Sequence, residues 1–439
     1  MRKNRAYRAT SVKKISVEEM ISSGPAGEVT VGLDIGKHEI FAVLRWNDGM
    51  FLRPWKVKNP TEIRTLVQLL RNVADKRTLR VAQESTGTYG DALRQALTDA
   101  QLDVHRVSGK ATHDYAEIFD GVPSQHDGKD AAIIAELAAL GKSWPWPFRH
   151  KKDQDAEMAY WVDWLDAQQR IEIMWLGRLE ALLARHWPEA TSLLKLASVT
   201  LLEALAHYGG PTELAADKAA AQRLAGWGRA MLKAEKIERV IRSAVGTVGV
   251  RQNARDIQRA QQYALMALAA YRQVQEARRM LKRLAQKNET IRRQAEAVGT
   301  ATACVLWVSL GDPKDYHCGE AYRKAMGLNL KERSSGKHKG KLKITKRGPS
   351  IVRRWLYFTA MRAAQDPNVR RWYEAKKAKG NDQAKVALIG ITRKLALALY
   401  SVGARGEPFD AWRLFPGRSL PRKQLQAQYA TVTHGSRHA

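Results

Sequence analysis

The chain is short of acidic residues. Its 439 positions hold 44 Asp and Glu against 74 Lys and Arg, a formal net charge of +30 at pH 7. An excess of that size selects polyanions as partners, and nucleic acid is the commonest polyanion. On charge alone, a ribosomal or membrane-surface protein stays open. Cysteine is nearly missing. Cys304 and Cys318 form no CxxC pair, so there is no basis for a disulfide framework or a zinc site. Two reduced thiols of a cytosolic protein are expected instead. No apolar run stands out at the length of a membrane span. The basic start, MRKNRAYRATSVKK, lacks the apolar stretch of a secretory signal. No internal repeat of fixed period is visible. These absences predict a soluble, cytoplasmic, nucleoid-associated protein with no membrane partner.

What is present is material for a core. Hydrophobic residues make up 44% of the chain, and its length suits two to four domains. Residues 1–28 read as a basic N-terminal arm, either loose or touching phosphates. From residue 29, VTVGLDI, HEIFAVLRW and FLRPWKV read as three strands, with Asn47-Asp48-Gly49 as a turn. The helical TEIRTLVQLLRNVA, the strand LRVAQES, the helix DALRQALTDA, the strand LDVHRVS and the helix DAAIIAELAAL follow. Strands alternating with helices mark an α/β domain over 29–150. Three strands before the first helix favour an RNase H-like mixed sheet over a Rossmann fold. Trp144-Pro145-Trp146-Pro147 closes this domain.

A helical, coiled-coil region is expected over 151–293. One helix runs through 153–187, with Met158, Leu165 and Leu179 at one heptad position and Trp161, Trp175 and Leu182 at another. Gln168 and Glu172 interrupt this seam. A second helix is expected over about 253–293, its heptads broken by Arg278. Residues 189–250 read as a small helical insert. Two ordinary bundle helices would give the same pattern. Trp161, Trp164 and Trp175 fit packing better than base stacking, because their spacing is heptad-like. Residues 294–415 read as a mainly α C-terminal domain, and 416–439 as a loose tail.

Four carboxylates carry candidate chemistry. Asp34 ends the first strand, in GLDIGKH, and Glu84 ends LRVAQES. Asp127 and Asp130, three apart at a helix start, share one face near the positive end of the helix dipole. Clustered carboxylates repel and need a cation between them. Oxygen-only ligands favour Mg²⁺ or Mn²⁺. Such ions suit phosphodiester chemistry. Each acid also has a plain reading: Asp127 as a cap, Asp130 as a dipole partner, Asp34 as a turn residue. Glu84 resists one, because acids are depleted in buried-type strands. Spacing alone leaves the quartet and the separate roles both open.

The segment 331–354 is the most basic. Arg333, Lys337, Lys339, Lys341, Lys343, Lys346, Arg347, Arg353 and Arg354 are candidate nucleic-acid contacts. Ser334-Ser335-Gly336 lies among them. A serine hydroxyl is a poor nucleophile unless activated. Cations can stabilise the charge that develops at a scissile phosphate. A solvated basic loop that only holds DNA explains the composition equally.

GLDIGKH, QESTGTYG, SQHDGKDAAIIAELA and LGD…AYRKAMGLNLKERSSGKHKGKLKITKRGPSIVRRWLY resemble, in this order, the DEDD transposases of the insertion-sequence one-ten family, relatives of the pilin-gene invertases. The resemblance spans about residues 30–405. It implies a RuvC-like domain of RNase H fold whose tetrad falls on Asp34, Glu84, Asp127 and Asp130, with Mg²⁺ as cofactor. It implies a C-terminal transposase domain with an essential serine before a glycine. That serine falls on Ser335, with Ser334 as the alternative nucleophile. It implies attack of the serine on donor or target DNA through a phosphoserine intermediate, self-association into a dimer or tetramer, and guidance by a structured non-coding bridge RNA. The usual Pro-Gly-Ile-Gly turn of the C-terminal domain is Glu296-Ala297-Val298-Gly299 here. Two other function classes remain: a metal-dependent nuclease or junction resolvase that uses water, and a non-catalytic nucleic-acid-binding protein. A covalent protein–DNA adduct separates the first from a recombinase, and metal binding excludes the second.

Overall fold

The computed structural model describes residues 9–85, 87–119, 126–148, 153–332, 340, 342–380 and 383–414. The chain divides into two compact units, Met1–His150 and Lys151–Ala439.

The first unit runs β1 (Thr10–Ser11), α1 (Val17–Ser22), β2 (Val29–Ile35), β3 (Glu39–Trp46), β4 (Trp55–Lys58), α2 (Ile63–Ala74), β5 (Leu79–Glu84), α3 (Asp91–Asp99), β6 (Asp103–Val107), α4 (Gly109–Phe119), α5 (Asp127–Ala139) and β7 (Ser143–Pro145). One sheet holds all seven strands in the order β1-β4-β3-β2-β5-β6-β7. β2, β3 and β4 form an antiparallel meander. β5 joins β2 in parallel, and β6 joins β5 likewise. This mixed order is the RNase H-like arrangement, with helices on both faces. A strand covered on both faces reads as a near-continuous apolar run, and β2 is buried at six of its seven residues. On one face Leu66, Leu70, Leu93 and Leu97 of α2 and α3 pack with Val31, Leu33 and Val81. On the other, Ile133, Ile134 and Leu137 of α5 pack with Ala82 and Val107. Gly32 sets the closeness of that second layer. A Cβ there would stand 2.1 Å from the Ala131 carbonyl oxygen and 2.4 Å from the Ala135 nitrogen. Helix α5 therefore lies directly on the backbone of β2.

The expected loose arm is docked from residue 9 onward. β1 pairs in parallel with β4, Thr10 opposite Trp55. Val12, Val17 and Met20 are buried in the first core. Ser16 caps α1 by accepting from the Glu19 amide. These few apolar residues are too short a series to register as a periodic element, yet they seal the sheet edge.

The second unit runs α6 (Asp153–His186), α7 (Ala190–Leu193), α8 (Val199–Tyr208), α9 (Pro211–Ala216), α10 (Ala220–Gly228), α11 (Ala234–Val245), α12 (Ala254–Ala285), α13 (Glu289–Val298), α14 (Thr300–Leu310), α15 (Gly319–Ala325), β8 (Leu330–Lys331), β9 (Lys343–Ile344), α16 (Ser350–Ala363), α17 (Pro367–Lys377) and α18 (Gln383–Arg405). The long helices α6 and α12 pack antiparallel. Met158, Val162 and Leu165 share a core with Val274, Leu281 and Leu284 at one end. Leu179 and Leu183 meet Ala264 and Leu268 at the other, where Leu201, Leu205 and Leu224 of the insert close over them. The charged breaks in the heptads meet: Arg278 partly offsets the burial that raises the pKa of Glu172. Trp164 donates to Gln273 at 3.1 Å, and Trp175 packs on Tyr263, so these tryptophans serve the interior of the helix pair.

Two expectations are corrected here. The second long helix ends at Ala285 rather than near 293, because the Asn288 side chain accepts from the Ile291 amide and starts α13. Among the described residues one helix is long and apolar enough to cross a membrane, α18, with 23 residues and a mean hydropathy of 1.4. Ile391, Leu395 and Leu399 on it are buried in the C-terminal core, which is why its apolar residues are there. Cys304 is buried and Cys318 half-buried; both are free thiols.

Candidate functional site

The sheet register brings the first two acids together. Leu33 pairs with Gln83, so Asp34 and Glu84 follow at the same level on adjacent parallel strands. Parallel neighbours lie about 4.8 Å apart. Both side chains follow, by two residues, positions that face α5, namely Gly32 and Ala82. They therefore point to the α5 side of the sheet. Helix α5 opens with Asp127 and Asp130. His126 caps it, its Nδ1 accepting from the Lys129 amide at 3.2 Å.

The electrostatics show that the four acids feel one another. Burial pushes the Asp34 carboxyl up from an ordinary 3.8 to about 7, and Asp130, Asp127 and Glu84 push the same way. Burial raises Glu84 as well; a hydrogen bond from Thr112 opposes this, and Asp130 adds to it. Burial raises Asp130, with repulsion from Asp127 added and attraction from His126 and Lys129 opposing. Among the described residues no group of three or more His, Cys, Asp or Glu side chains stands at metal-ligand spacing. The acids converge to interacting range without closing into a shell. The donor set fits a hard divalent ion: all oxygens, of one sign, at the ends of rigid elements.

Sequence reasoning missed three supports of this cluster. Lys129 is 1% exposed although it lies between the two helix acids in sequence. Gly109 leaves room for Glu84: a Cβ there would stand 2.1 Å from Glu84 Oε1. Thr112 supplies the opposing hydrogen bond, and nothing in its sequence context marked it.

The serine segment is anchored at both feet. β8 and β9 pair antiparallel, Leu330 opposite Ile344 and Lys331 opposite Lys343. Ser334, Ser335, Arg333, Lys337, Lys339 and Lys341 lie outside the described residues. Lys343, Lys346 and Arg347 are exposed. Like charges directly opposite across a ladder destabilise it unless an anion offsets them, and Lys331 and Lys343 are so placed. Two of the arginines expected on nucleic acid are engaged within the fold. Arg353 Nη1 donates to the Gly348 carbonyl at 2.6 Å and to those of Pro349 and Met326. Arg354 forms an ion pair with Asp166 of α6. A helix that must dock its first turn needs partners for that turn, and these guanidiniums supply them. Gly299, the residue left of the usual turn, has φ +82 and joins α13 directly to α14.

Comparison with known proteins gives matches at both ends of the chain. A transposase family model, the DEDD transposase of the IS110 type, matches residues 31–162. A second, described as the transposase IS116/IS110/IS902 family, matches residues 291–374. No curated protein matches. Among solved structures, T. thermophilus RuvC in complex with Holliday junction substrate aligns with 27% of this chain and 99% of its own, at 15% identity and a TM-score of 0.23.

Proposed function

We propose, proceeding from the chain's membership of the IS110 family of DEDD transposases, that it cuts and rejoins DNA with a divalent-metal centre and a serine nucleophile. The chain is a DNA transposase, an enzyme acting on DNA in the cytoplasm. The finer reading assigns Asp34, Glu84, Asp127 and Asp130 as ligands of Mg²⁺ or Mn²⁺ and Ser335, or else Ser334, as nucleophile. The observation that carries it is the buried Asp34 carboxyl, pushed up to about 7 by burial and by the charges of Asp130, Asp127 and Glu84, in a protein of charge +30.

When bound, a divalent ion would neutralise phosphate charge and polarise the scissile bond. The chain's own groups do the rest. Asp34 and Glu84, on neighbouring strands, fix one side of the cleft. Asp127 and Asp130 fix the other through the first turn of α5. Lys343, Lys346 and Arg347 hold the DNA backbone beside the serine segment. Attack by Oγ forms an Oγ–P ester and releases one DNA hydroxyl. Attack on that ester by a second DNA hydroxyl rejoins the strand and frees the serine. A guide RNA and a dimer or tetramer belong to this reading as well; the exposed cations suit an RNA backbone as they suit DNA.

The experiment is strand exchange on element-end DNA with denaturing gels to trap the adduct. Ser335→Ala is expected to lose adduct and product while binding persists. Asp34→Ala is expected to lose product by at least a hundredfold. Full product from Ser335→Ala without an adduct would show that water, not serine, attacks. Sequencing of RNA co-purified with the chain tests the guide.

A further inference from the structure

A second surface of the first unit, away from the acids, gathers aromatic and cationic side chains. The ribbon that starts as β7 lies along β6, with Trp144 opposite Arg106. The Arg106 guanidinium lies 5.6 Å from the centre of the Trp146 ring. Arg94, from α3, lies 4.0 Å over the same ring and 4.9 Å from the ring of Phe148. Aromatic and cationic groups thus alternate: Phe148, Arg94, Trp146, Arg106, with Trp144 next across the ladder. The ribbon is held by backbone and side chain. The Trp146 amide donates to the Val104 carbonyl at 2.7 Å, and the Phe148 amide to Thr98 Oγ1 at 2.8 Å.

The inner and outer members differ. Arg94 is half-buried and pairs with Asp91 at 3.0 Å, so it works as a strut. Arg106 is exposed, and among the described residues no carboxylate pairs with it. Trp144 is 57% exposed, and among the described residues no ring or cation stacks on it. Pro145 and Pro147 fix the ribbon and withhold the amides that a further strand would need. An open hollow of about 400 Å³ lined by Arg94, Pro145, Trp146 and Pro147 lies alongside.

We propose that this ribbon is a stacking platform for an unpaired stretch of DNA. A base stacks on the Trp144 indole. The Arg106 guanidinium, beside Trp146, directs its N–H groups to the next phosphate. The strand must be unpaired, because bases within a duplex already cover one another's faces. The platform is separate from the acid cluster. Glu84, Val107 and Ser143 are level partners on one face of the sheet, and Arg106 and Trp144, one residue along, take the other. The choice of DNA rests on the transposase reading.

The test measures binding of the full chain to a labelled thymidine oligonucleotide and to a matched duplex, by anisotropy, in chelator. Trp144→Ala is expected to weaken oligonucleotide binding about tenfold and to leave duplex binding unchanged. Trp144→Phe, which keeps a ring, is expected to retain most of it. Arg106→Gln should weaken it too, and lower the salt slope by about one phosphate. Equal oligonucleotide binding by wild type and Trp144→Ala, or an equal loss on oligonucleotide and duplex, overturns the platform. Tighter binding of the matching RNA oligonucleotide, lost in Trp144→Ala, overturns the assignment to DNA. Asp34→Asn keeps the two readings apart. If it still cuts DNA, the acid reading fails while the Trp144 result stands by itself.

Discussion

Asp34 is the residue on which the acid cluster can be tested without DNA. Its carboxyl titrates near 7 in the folded chain against an ordinary 3.8. The folded state therefore holds the proton more tightly than the unfolded state. This contribution to stability is complete below about pH 4 and is lost as pH rises through 7. Above that, Asp34 is a folded-state liability unless a cation joins it. Asp34→Asn removes the liability. In chelator, the variant's Tm is expected to exceed that of wild type by a few degrees at pH 8 and to match it near pH 4, equivalent to ~1–2 kcal/mol after allowance for solvent screening. Adding Mn²⁺ at pH 8 should close the gap by raising wild type alone. Parallel melting curves across pH would mean that the acids do not sense one another. The candidate acids were readable in the sequence one by one, since strand ends and helix starts are where a rigid carboxylate can face a cleft, but spacing left their joint role open. The burial of Lys129 could not be read, because a lysine between two acids at a helix start ordinarily faces solvent. The partners of Arg353 and Arg354 within the fold were hidden for a related reason. Charge shows in a sequence, but the internal carbonyls and the Asp166 carboxylate that engage it do not.

At the scale of elements, two glycines hold the acids in place by different means. Gly32 faces helix backbone, so Gly32→Ala must lift α5, and with it Asp127 and Asp130, off β2. A loss of about 2–4 kcal/mol is expected, together with loss of metal-dependent cutting. Gly109 faces only the end of the Glu84 side chain. Gly109→Ala should cost less than about 1 kcal/mol, yet reduce cutting by displacing that carboxylate. Chemical denaturation and single-turnover cleavage separate the two, and equal stability losses would refute the distinction. Long periodic segments announced themselves in the sequence: α6, α12 and the alternation of strands with helices. Short elements did not. The β1–α1 segment rests on three buried apolar residues, and the stop at Ala285 rests on one asparagine whose side chain accepts from the Ile291 amide and so starts a new helix.

Across the whole molecule the surplus of cations dominates binding. On the proposed function, exposed lysines such as Lys343 and Lys346 are expected to neutralise phosphates and release counterions. Duplex affinity is expected to fall about a thousandfold or more between 50 and 200 mM salt, as it does for about six to ten phosphate contacts. A shallow dependence, measured by filter binding, would mean that most of the +30 charge faces something other than nucleic acid. The seven-stranded sheet has a further consequence. It finishes on two very short strands, one of two residues and one of three that ends in proline. Neither can template the addition of another chain, so copies crowded onto one piece of DNA are protected from zipping together through their sheets. If copies associate as the proposed function has it, they are expected to join through side chains rather than through an added strand.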